Sequence, residues 1–150
     1  EGSAHSTSRV GYKLHNVSHH DGECWGLEII PEMKTFLTCG DDNEFHEFSF
    51  ENKKWIRSGK IWTPELNDGA SYSTKKIKST ASTLCDYPPH QQGRAICYGA
   101  KHNHVPVSNN YGDIFIYSYN NFSERVATLL NPREWVETMK YSPDGNWFAV

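Results

Sequence analysis

The sequence has no run of apolar residues that approaches the roughly 18 needed to cross a bilayer as a helix. Its first residues, 1–9, also lack the apolar stretch of a signal peptide. Positive charge is not in excess, because 15 Lys and Arg stand against 18 Asp and Glu for a formal net charge of -3. That balance is not typical of a protein that coats nucleic-acid phosphates. We therefore expect a soluble, cytoplasmic protein with no membrane or nucleic-acid partner.

Cysteine is also scarce, and its spacing argues against two uses. The four cysteines match neither a CxxC metal motif nor a dense disulfide framework; they are Cys24, Cys39, Cys85 and Cys97. Each lies among strand-like apolar residues, so we expect reduced thiols in the core. The familiar catalytic motifs are missing too: there is no Gly-x-Ser-x-Gly elbow, phosphate-binding loop or dinucleotide fingerprint. The sequence therefore predicts neither an enzyme nor a cofactor.

What the chain does contain is short runs of β-branched and aromatic residues separated by turn residues, which predict an all-β fold. A first set of four expected strands covers 24–30, 35–39, 44–50 and 54–62. A second covers 82–87, 94–99, 113–117 and 124–130, and a third begins with 135–142 and 147–150. Hairpin turns are expected at 40–43, 109–112 and 143–145, where Gly, Asn and Asp accept positive φ angles. The four-stranded unit repeats.

The repeat is longer than a β-propeller blade, which has four strands in roughly 40–45 residues. The prolines of its first turns mark the interval: Pro31, Pro89 and Pro143. Two polar insertions, 63–81 and 100–108, account for the surplus as surface loops. The expected organisation is an N-terminal segment or end of a preceding blade at 1–18, a blade at 19–62, an inserted loop at 63–81, a blade at 82–130 and a truncated third blade at 131–150. Because a closed propeller needs about four to eight blades, we expect a fragment of a larger propeller.

Three stretches carry a family resemblance. WVETMKYSPDGNWFAV at 135–150 resembles the first hairpin of a WD40 blade, in which a strand ends in Ser-Pro-Asp-Gly. HHDGECWGL at 19–27 and GDDN at 40–43 resemble, more narrowly, the echinoderm microtubule-associated protein-like family. The resemblance implies a non-catalytic WD40 scaffold that binds tubulin or the microtubule wall in the cytoskeleton, and in the cilium axoneme for some relatives. The alternative is a WD40 adaptor that binds other proteins and is unrelated to microtubules.

The resemblance also implies a set of structural residues. WD40 blades often bury a hydrogen-bonded set of His, Ser or Thr, Asp and Trp, whose polar groups must satisfy one another. The first blade offers three of the four: His19 or His20, Thr38 and Asp42, with Phe48 at the Trp position. In the second blade, Tyr111 stands at the Asp position and Tyr117 at the Trp position. These departures concern the hydrogen-bonded set and leave the blade pattern intact.

Other clusters have simpler explanations. The histidines at 19–20 and 102–104 suit zinc or copper by type, but no cluster of Cys or carboxylates completes a ligand set, so we expect no metal. We expect the second pair on an exposed loop. Asp41-Asp42 could serve acid–base chemistry, yet adjacent acids on a hairpin turn usually accept backbone hydrogen bonds. One basic patch is either solvated or contacts an acidic partner such as a tubulin lattice: Lys75, Lys76 and Lys78.

Overall fold

The computed structural model describes residues 20–62, 92–129 and 135–150. Within these ranges the predicted all-β fold is confirmed: ten strands form three antiparallel sheets, and the helical content is one 3₁₀ turn, Pro31–Met33. No helix in this part of the chain has the length and apolar character needed to cross a membrane. The strand predicted at 82–87 and the loop predicted at 63–81 lie outside the described residues.

The first sheet is a four-stranded meander in the spatial order β1-β2-β3-β4. Its strands are β1 (Cys24–Ile30), β2 (Thr35–Gly40), β3 (Glu44–Ser49) and β4 (Lys54–Lys60). The turn predicted at 40–43 is confirmed: Asn43 takes a left-handed φ of 62°, which Asn tolerates, and β3 begins at the next residue. All four runs predicted for this sheet are confirmed as strands.

The second sheet repeats this meander in the order β5-β6-β7-β8. Its strands are β5 (Gly93–Ile96), β6 (His104–Asn109), β7 (Ile114–Ser118) and β8 (Asn121–Leu129). The turn predicted at 109–112 is confirmed, with Gly112 at a φ of 87° that side chains with a Cβ rarely adopt. The run at 94–99, predicted as the second strand of its unit, is therefore the first strand of this sheet.

The prediction of a surface loop at 100–108 is wrong, because β6 begins at His104. Val105 and Val107 are fully buried, and so is Pro106 between them, so both faces of this strand are covered. Pro106 between them concealed the strand, since proline is rare in central strands. Its carbonyl accepts the N–H of Cys97 at 3.1 Å, so the side that lacks an N–H also points toward β5. The ladder with β7 on the other side loses no donor.

The third sheet is a short hairpin of β9 (Lys140–Tyr141) and β10 (Phe148–Ala149). The turn predicted at 143–145 is confirmed: Gly145 has a φ of 68°, and its N–H donates to the Ser142 carbonyl at 2.8 Å. The strand predicted over 135–142 is shorter than expected. Residues 135–139 stay outside it because the two residues of β10 pair only with Tyr141 and Lys140.

The two four-stranded sheets place equivalent residues in the same cross-strand rows. In the first sheet Thr38 pairs with His46 across β2 and β3. In the second sheet Val107 pairs with Phe115 across β6 and β7, two residues before the end of β6 just as Thr38 stands two residues before the end of β2. The second sheet thus has an apolar pair where the first has a polar one.

The sheets pack face to face, and the core lies between them. The first cluster joins the first and second sheets, and its members include Leu37, Cys39, Phe45, Val105, Val107, Phe115 and Tyr117. The second joins the second sheet to the segment that leads into β9: Ala95, Cys97, Ile114, Ile116, Val136 and Met139. Gly26 on β1 marks a close approach, because a Cβ there would lie 2.5 Å from Cys39 Sγ and 3.0 Å from Ile96 Cγ2.

The cysteines follow the core expectation only in part. Cys39 and Cys97 are buried free thiols, and burial raises the pKa of the Cys97 thiol to about 12. Cys24 is an exposed free thiol, contrary to the prediction, because it starts the edge strand β1 ahead of a β-bulge. Cys85 lies outside the described residues.

Candidate functional site

A polar cluster lies where the first sheet meets the loop that precedes it. His20 belongs to that loop, Thr38 to β2, Asp42 to the β2–β3 turn and His46 to β3. The register of β2 and β3 places Thr38 directly opposite His46. We call these four residues the His20 cluster.

His20 connects the other predicted members of this set. Its Nδ1 lies 2.9 and 3.0 Å from the two carboxylate oxygens of Asp42, and its Nε2 lies 2.8 Å from Thr38 Oγ1. Because a carboxylate only accepts, Nδ1 donates to Asp42, and Nε2 shares the second hydrogen bond with the Thr38 hydroxyl. Asp42 also accepts the backbone N–H groups of Asp21 at 3.0 Å and Glu44 at 3.2 Å. The cluster thereby ties the loop before β1 to the β2–β3 turn.

His46 is the member that the sequence analysis missed. Its ring stacks on His20 with centroids 4.1 Å apart and planes 18° apart, and its Nε2 lies 3.0 Å from Glu44 Oε2. Residues that stand opposite each other on neighbouring strands point to the same face of a sheet. Because Thr38 belongs to the buried polar set, the residue opposite it on β3, His46, lies on the same face.

The order Thr38, His20, Asp42 is chemically that of a nucleophile, a general base and an orienting acid. The Thr38 residue is only 4% exposed, however, so its hydroxyl is covered rather than open to a substrate. A hydroxyl in that position serves as a buried hydrogen-bond partner. The three side chains are ordered as in a catalytic triad, but a substrate cannot reach the Thr38 hydroxyl.

The same cluster also offers one possible ligand set for a metal, since ligand atoms of His20, Asp42 and His46 lie within 4.8 Å of one another. Two features oppose coordination. Both ring nitrogens of His20 already have protein partners. The lone pairs of an imidazole lie in the ring plane, so two stacked rings direct them side by side rather than toward one point. The donor set fits a hydrogen-bonded network better than a metal centre.

The remaining sequence-predicted residues fall in three groups. His19 and the basic patch of Lys75, Lys76 and Lys78 lie outside the described residues. Phe48, at the Trp position of the first blade, is fully buried and stacks on Phe36 with centroids 5.3 Å apart. Tyr111, at the Asp position of the second blade, is partly buried.

The expectation of an exposed loop for the second histidine pair is confirmed for His102, which is exposed in a turn, and is wrong for His104, which lies in a strand. His102 lies in the turn before β6, and its ring Nε2 donates to the carbonyl of Gly145 in the third sheet at 3.0 Å. His104 begins β6, stacks on His102 with centroids 5.7 Å apart and is partly buried. Burial, and then the neighbouring His102, lower the pKa of His104.

A buried carboxylate crosses the boundary between the first two sheets. Glu47 on β3 is 2% exposed, and it accepts from Arg57 Nε at 2.7 Å and from the phenol of Tyr119. The Arg57 guanidinium lies over the rings of Tyr119 at 4.7 Å and Phe122 at 4.0 Å. Burial first, and the hydrogen bond with Glu47 second, raise the pKa of Tyr119 to about 12.

A groove runs between β4 and β8, the outer strands of the two sheets, and encloses about 650 Å³. We call it the outer groove; it is lined by Asn43, Glu44, Ser58, Gly59, Lys60, Ile61, Trp62, Tyr117, Phe122, Ser123 and Arg125. The Arg125 guanidinium lies 3.9 Å above the Trp62 ring. The Tyr117 phenol accepts the Trp62 N–H at 2.8 Å and donates to the Lys60 carbonyl at 3.1 Å.

On another side, a stack of three side chains joins the first sheet, the second sheet and the segment before β9. The guanidinium of Arg94 lies 4.1 Å from the ring centre of Trp25 and 4.7 Å from that of Trp135. Trp25 and Arg94 each occupy the β-bulge in the first strand of their sheet. The Trp25 indole N–H donates to Asp41 at 2.6 Å, and Trp135 remains 62% exposed.

Four-stranded meanders that stack face to face, with a His-Thr-Asp set at the head of a blade, define WD40-type β-propeller blades. No family model matches the chain. It is 35% identical over 135 residues to the ciliary WD repeat-containing protein ctxp80 of Euplotoides octocarinatus, an alignment that covers 89% of this chain and 18% of that protein. It is 25% identical over 134 residues to the 77 kDa echinoderm microtubule-associated protein of Strongylocentrotus purpuratus, covering 89% of this chain and 15% of that protein.

The predicted resemblance to the WD40-repeat proteins of the echinoderm microtubule-associated protein-like family is confirmed. Both alignments span nearly all of the chain, so they include both four-stranded sheets. The chain spans less than a fifth of the length of either relative.

Proposed function

We propose that the protein is a non-catalytic WD40 scaffold that binds tubulin or the microtubule wall, in the cytoskeleton and in the cilium axoneme. The observation that carries the proposal is the similarity of this one stretch to two WD40-type relatives, one named as ciliary and the other as microtubule-associated. The fold is compatible with such a role, because stacked blades present broad, rigid surfaces to protein partners.

The proposed role of the His20 cluster is structural. The side chains of His20, Thr38 and Asp42 are hydrogen-bonded to one another, and the hydroxyl of Thr38 is covered. The cluster therefore holds the loop before β1 on the sheet and leaves binding to the surface. For the contact with an acidic tubulin lattice, the sequence offers Lys75, Lys76 and Lys78 as a basic patch.

The second candidate is an adaptor that binds other proteins without any tie to microtubules. The exposed stack of Trp25, Arg94 and Trp135 favours it, since Trp and Arg are the residues most enriched at protein interfaces. The same stack would also serve a microtubule-binding scaffold, so it does not decide between the two.

Co-sedimentation of the full-length protein with polymerised tubulin separates these functions. A microtubule-binding scaffold pellets with the polymer at low salt and less at high salt, because contacts between exposed charges are screened over a Debye length of about 8 Å at physiological ionic strength. Failure to pellet at low salt would favour the adaptor. A matched pelleting run without tubulin excludes sedimentation of the protein by itself.

A further inference from the structure

We propose that the outer groove between β4 and β8 binds an acidic segment of a partner protein. The inference rests on the proposed function and deepens it, because it places a contact with an acidic partner on described residues. It is also independent of the basic patch at 75–78. Four properties of the groove support it: its charge, its preorganisation, its hydrogen-bonding groups and its size.

The outer groove collects positive charge in a chain whose net charge is -3. Lys60 on β4 and Arg125 on β8 are both exposed and line the groove from the two strands. Among the described residues, neither takes part in an ion pair. The lining contains one acid, Glu44, against these two cations. The net charge of the lining residues is therefore positive.

Arg125 is held ready for a carboxylate. Its guanidinium lies on the face of Trp62, whose ring meets Phe115 edge-on with centroids 5.8 Å apart. The backbone of Trp62 is in turn fixed by the Tyr117 phenol at 2.8 Å. A guanidinium stacked on an indole keeps its N–H donors in one plane, where they match the two oxygens of a carboxylate. Little conformational freedom is left to lose on binding.

The rest of the lining suits a peptide. Ser58 and Ser123 bring exposed hydroxyls that can donate or accept. The side chain of Asn43 adds a further polar group to the lining. The volume of about 650 Å³ falls within the roughly 300–1,000 Å³ of ligand sites and gives room for a short extended segment. A Glu-rich stretch satisfies both the cations and the polar lining.

Lysines on an outer strand have a second explanation, since they also prevent edge-to-edge pairing of sheets. Lys53 and Lys54, at the other end of β4, are equally exposed and do not line the groove. If the lysines only prevent pairing of sheet edges, substitutions at either end of β4 should have the same effect on peptide binding. If the groove binds the peptide, only substitutions of Lys60 and Arg125 should weaken binding. Substitutions of Lys53 and Lys54 are therefore the matched control.

The test uses the full-length protein and a synthetic Glu-rich peptide, with the corresponding Gln-rich peptide as a probe control, in titration calorimetry. The double variant Lys60→Glu and Arg125→Glu is expected to weaken binding of the Glu-rich peptide by about tenfold or more, since hydrogen bonds to charged groups are among the strong ones. The control Lys53→Glu with Lys54→Glu, which carries the same change in charge, is expected to stay within about twofold. If the charge-reversed groove variant does not fold, Lys60→Gln with Arg125→Gln gives the same comparison.

Three results would overturn the proposal: no binding of the Glu-rich peptide by the unmodified protein, equal weakening by both double variants, or no weakening by the groove variant. Microtubule pelleting separates this inference from the proposed function. Unmodified protein that binds the peptide but does not pellet leaves the groove intact and removes the microtubule role. Protein that pellets equally with and without the groove substitutions, and binds the peptide equally, keeps the microtubule role and removes the groove.

Discussion

The phenol of Tyr117 holds the backbone of Trp62 across the boundary between two blades, accepting its N–H at 2.8 Å while donating to the Lys60 carbonyl at 3.1 Å. Tyr117 stands where a WD40 blade often carries a Trp. Here that position supplies a bond to the preceding blade, and burial raises the pKa of the phenol so that its hydroxyl stays protonated. A tyrosine at this position therefore joins two sheets.

Replacing this tyrosine with Tyr117→Phe removes both bonds and keeps the ring. We expect the free energy of opening at the Trp62 amide to fall by about 1–3 kcal/mol, because a partly buried donor and acceptor lose their partner. Hydrogen exchange of the full-length protein measures this amide directly. Tyr98→Phe is the control, since among the described residues its phenol bonds to Asn103 within the β5–β6 connection, at 3.2 Å. Equal effects of the two substitutions on Trp62 would contradict the bridge.

Tyr119 predicts a loss of stability in alkali. Its pKa is raised from 10.0 to about 12, first by burial and then by the bond to Glu47. The folded state therefore favours the neutral phenol, and that stabilisation is complete below the unfolded pKa and lost as pH rises through the folded one. We expect Tyr119→Phe to flatten the decline in stability between pH 10 and about 12, measured by chemical unfolding at each pH. Parallel pH profiles for the two proteins would show that Tyr119 does not contribute.

Thr38→Val tests the His20 cluster without changing its shape. The substitution leaves Nε2 of His20 without its hydroxyl partner in a covered site, so we expect a loss of about 1–3 kcal/mol in the stability of the first sheet. Amide exchange in β2 and β3 is the measurement. The exposed Thr138→Val serves as a control with the same chemical change, and its effect should stay within about 0.5 kcal/mol. A neutral Thr38→Val would remove the structural role proposed for the cluster.

The basic patch predicts a change in microtubule binding. Reversal of Lys75, Lys76 and Lys78 to Glu should reduce pelleting at low salt and weaken its dependence on salt, because fewer cations would face an acidic lattice. Lys53→Glu with Lys54→Glu reverses two exposed lysines outside the patch, and it controls for charge reversal elsewhere on the surface. Pelleting that is unchanged by the triple substitution would exclude the patch from the contact surface.

The first sheet was predictable because each of its strands shows a local signal. Strands β1 to β4 coincide with runs of apolar and aromatic residues, and the turn that ends at Asn43 contains the residues that a positive φ favours. The second sheet was less predictable, because Pro106 lies in the middle of β6. Proline is rare in central strands, so its presence predicted a loop although the neighbouring valines are apolar. Proline is tolerated here because the position of its missing N–H points toward the end of β5 and not toward β7.

Contacts between blades were beyond local reasoning. Nothing near Tyr117 in sequence indicates that its hydroxyl meets residues 60–62, and nothing near Glu47 indicates Tyr119. Such pairs depend on how two twisted sheets stack, which is a property of the whole assembly. The choice of His46 as a neighbour of His20 likewise needed the register of β2 and β3, which the sequence pattern did not supply.

Phe45 and Ile114 hold equivalent places in their sheets, opposite Cys39 and Ser108 in the ladders β2–β3 and β6–β7. Phe45 packs toward the second sheet and Ile114 toward the third, so each blade turns the same side to its successor. Stacking of this kind is heterologous, because one face of a blade meets the opposite face of the next. The effect of a substitution is therefore directional. A change at the place of Phe45 loosens the boundary with the following blade, whereas a change in the row of Val107 loosens the boundary with the preceding one.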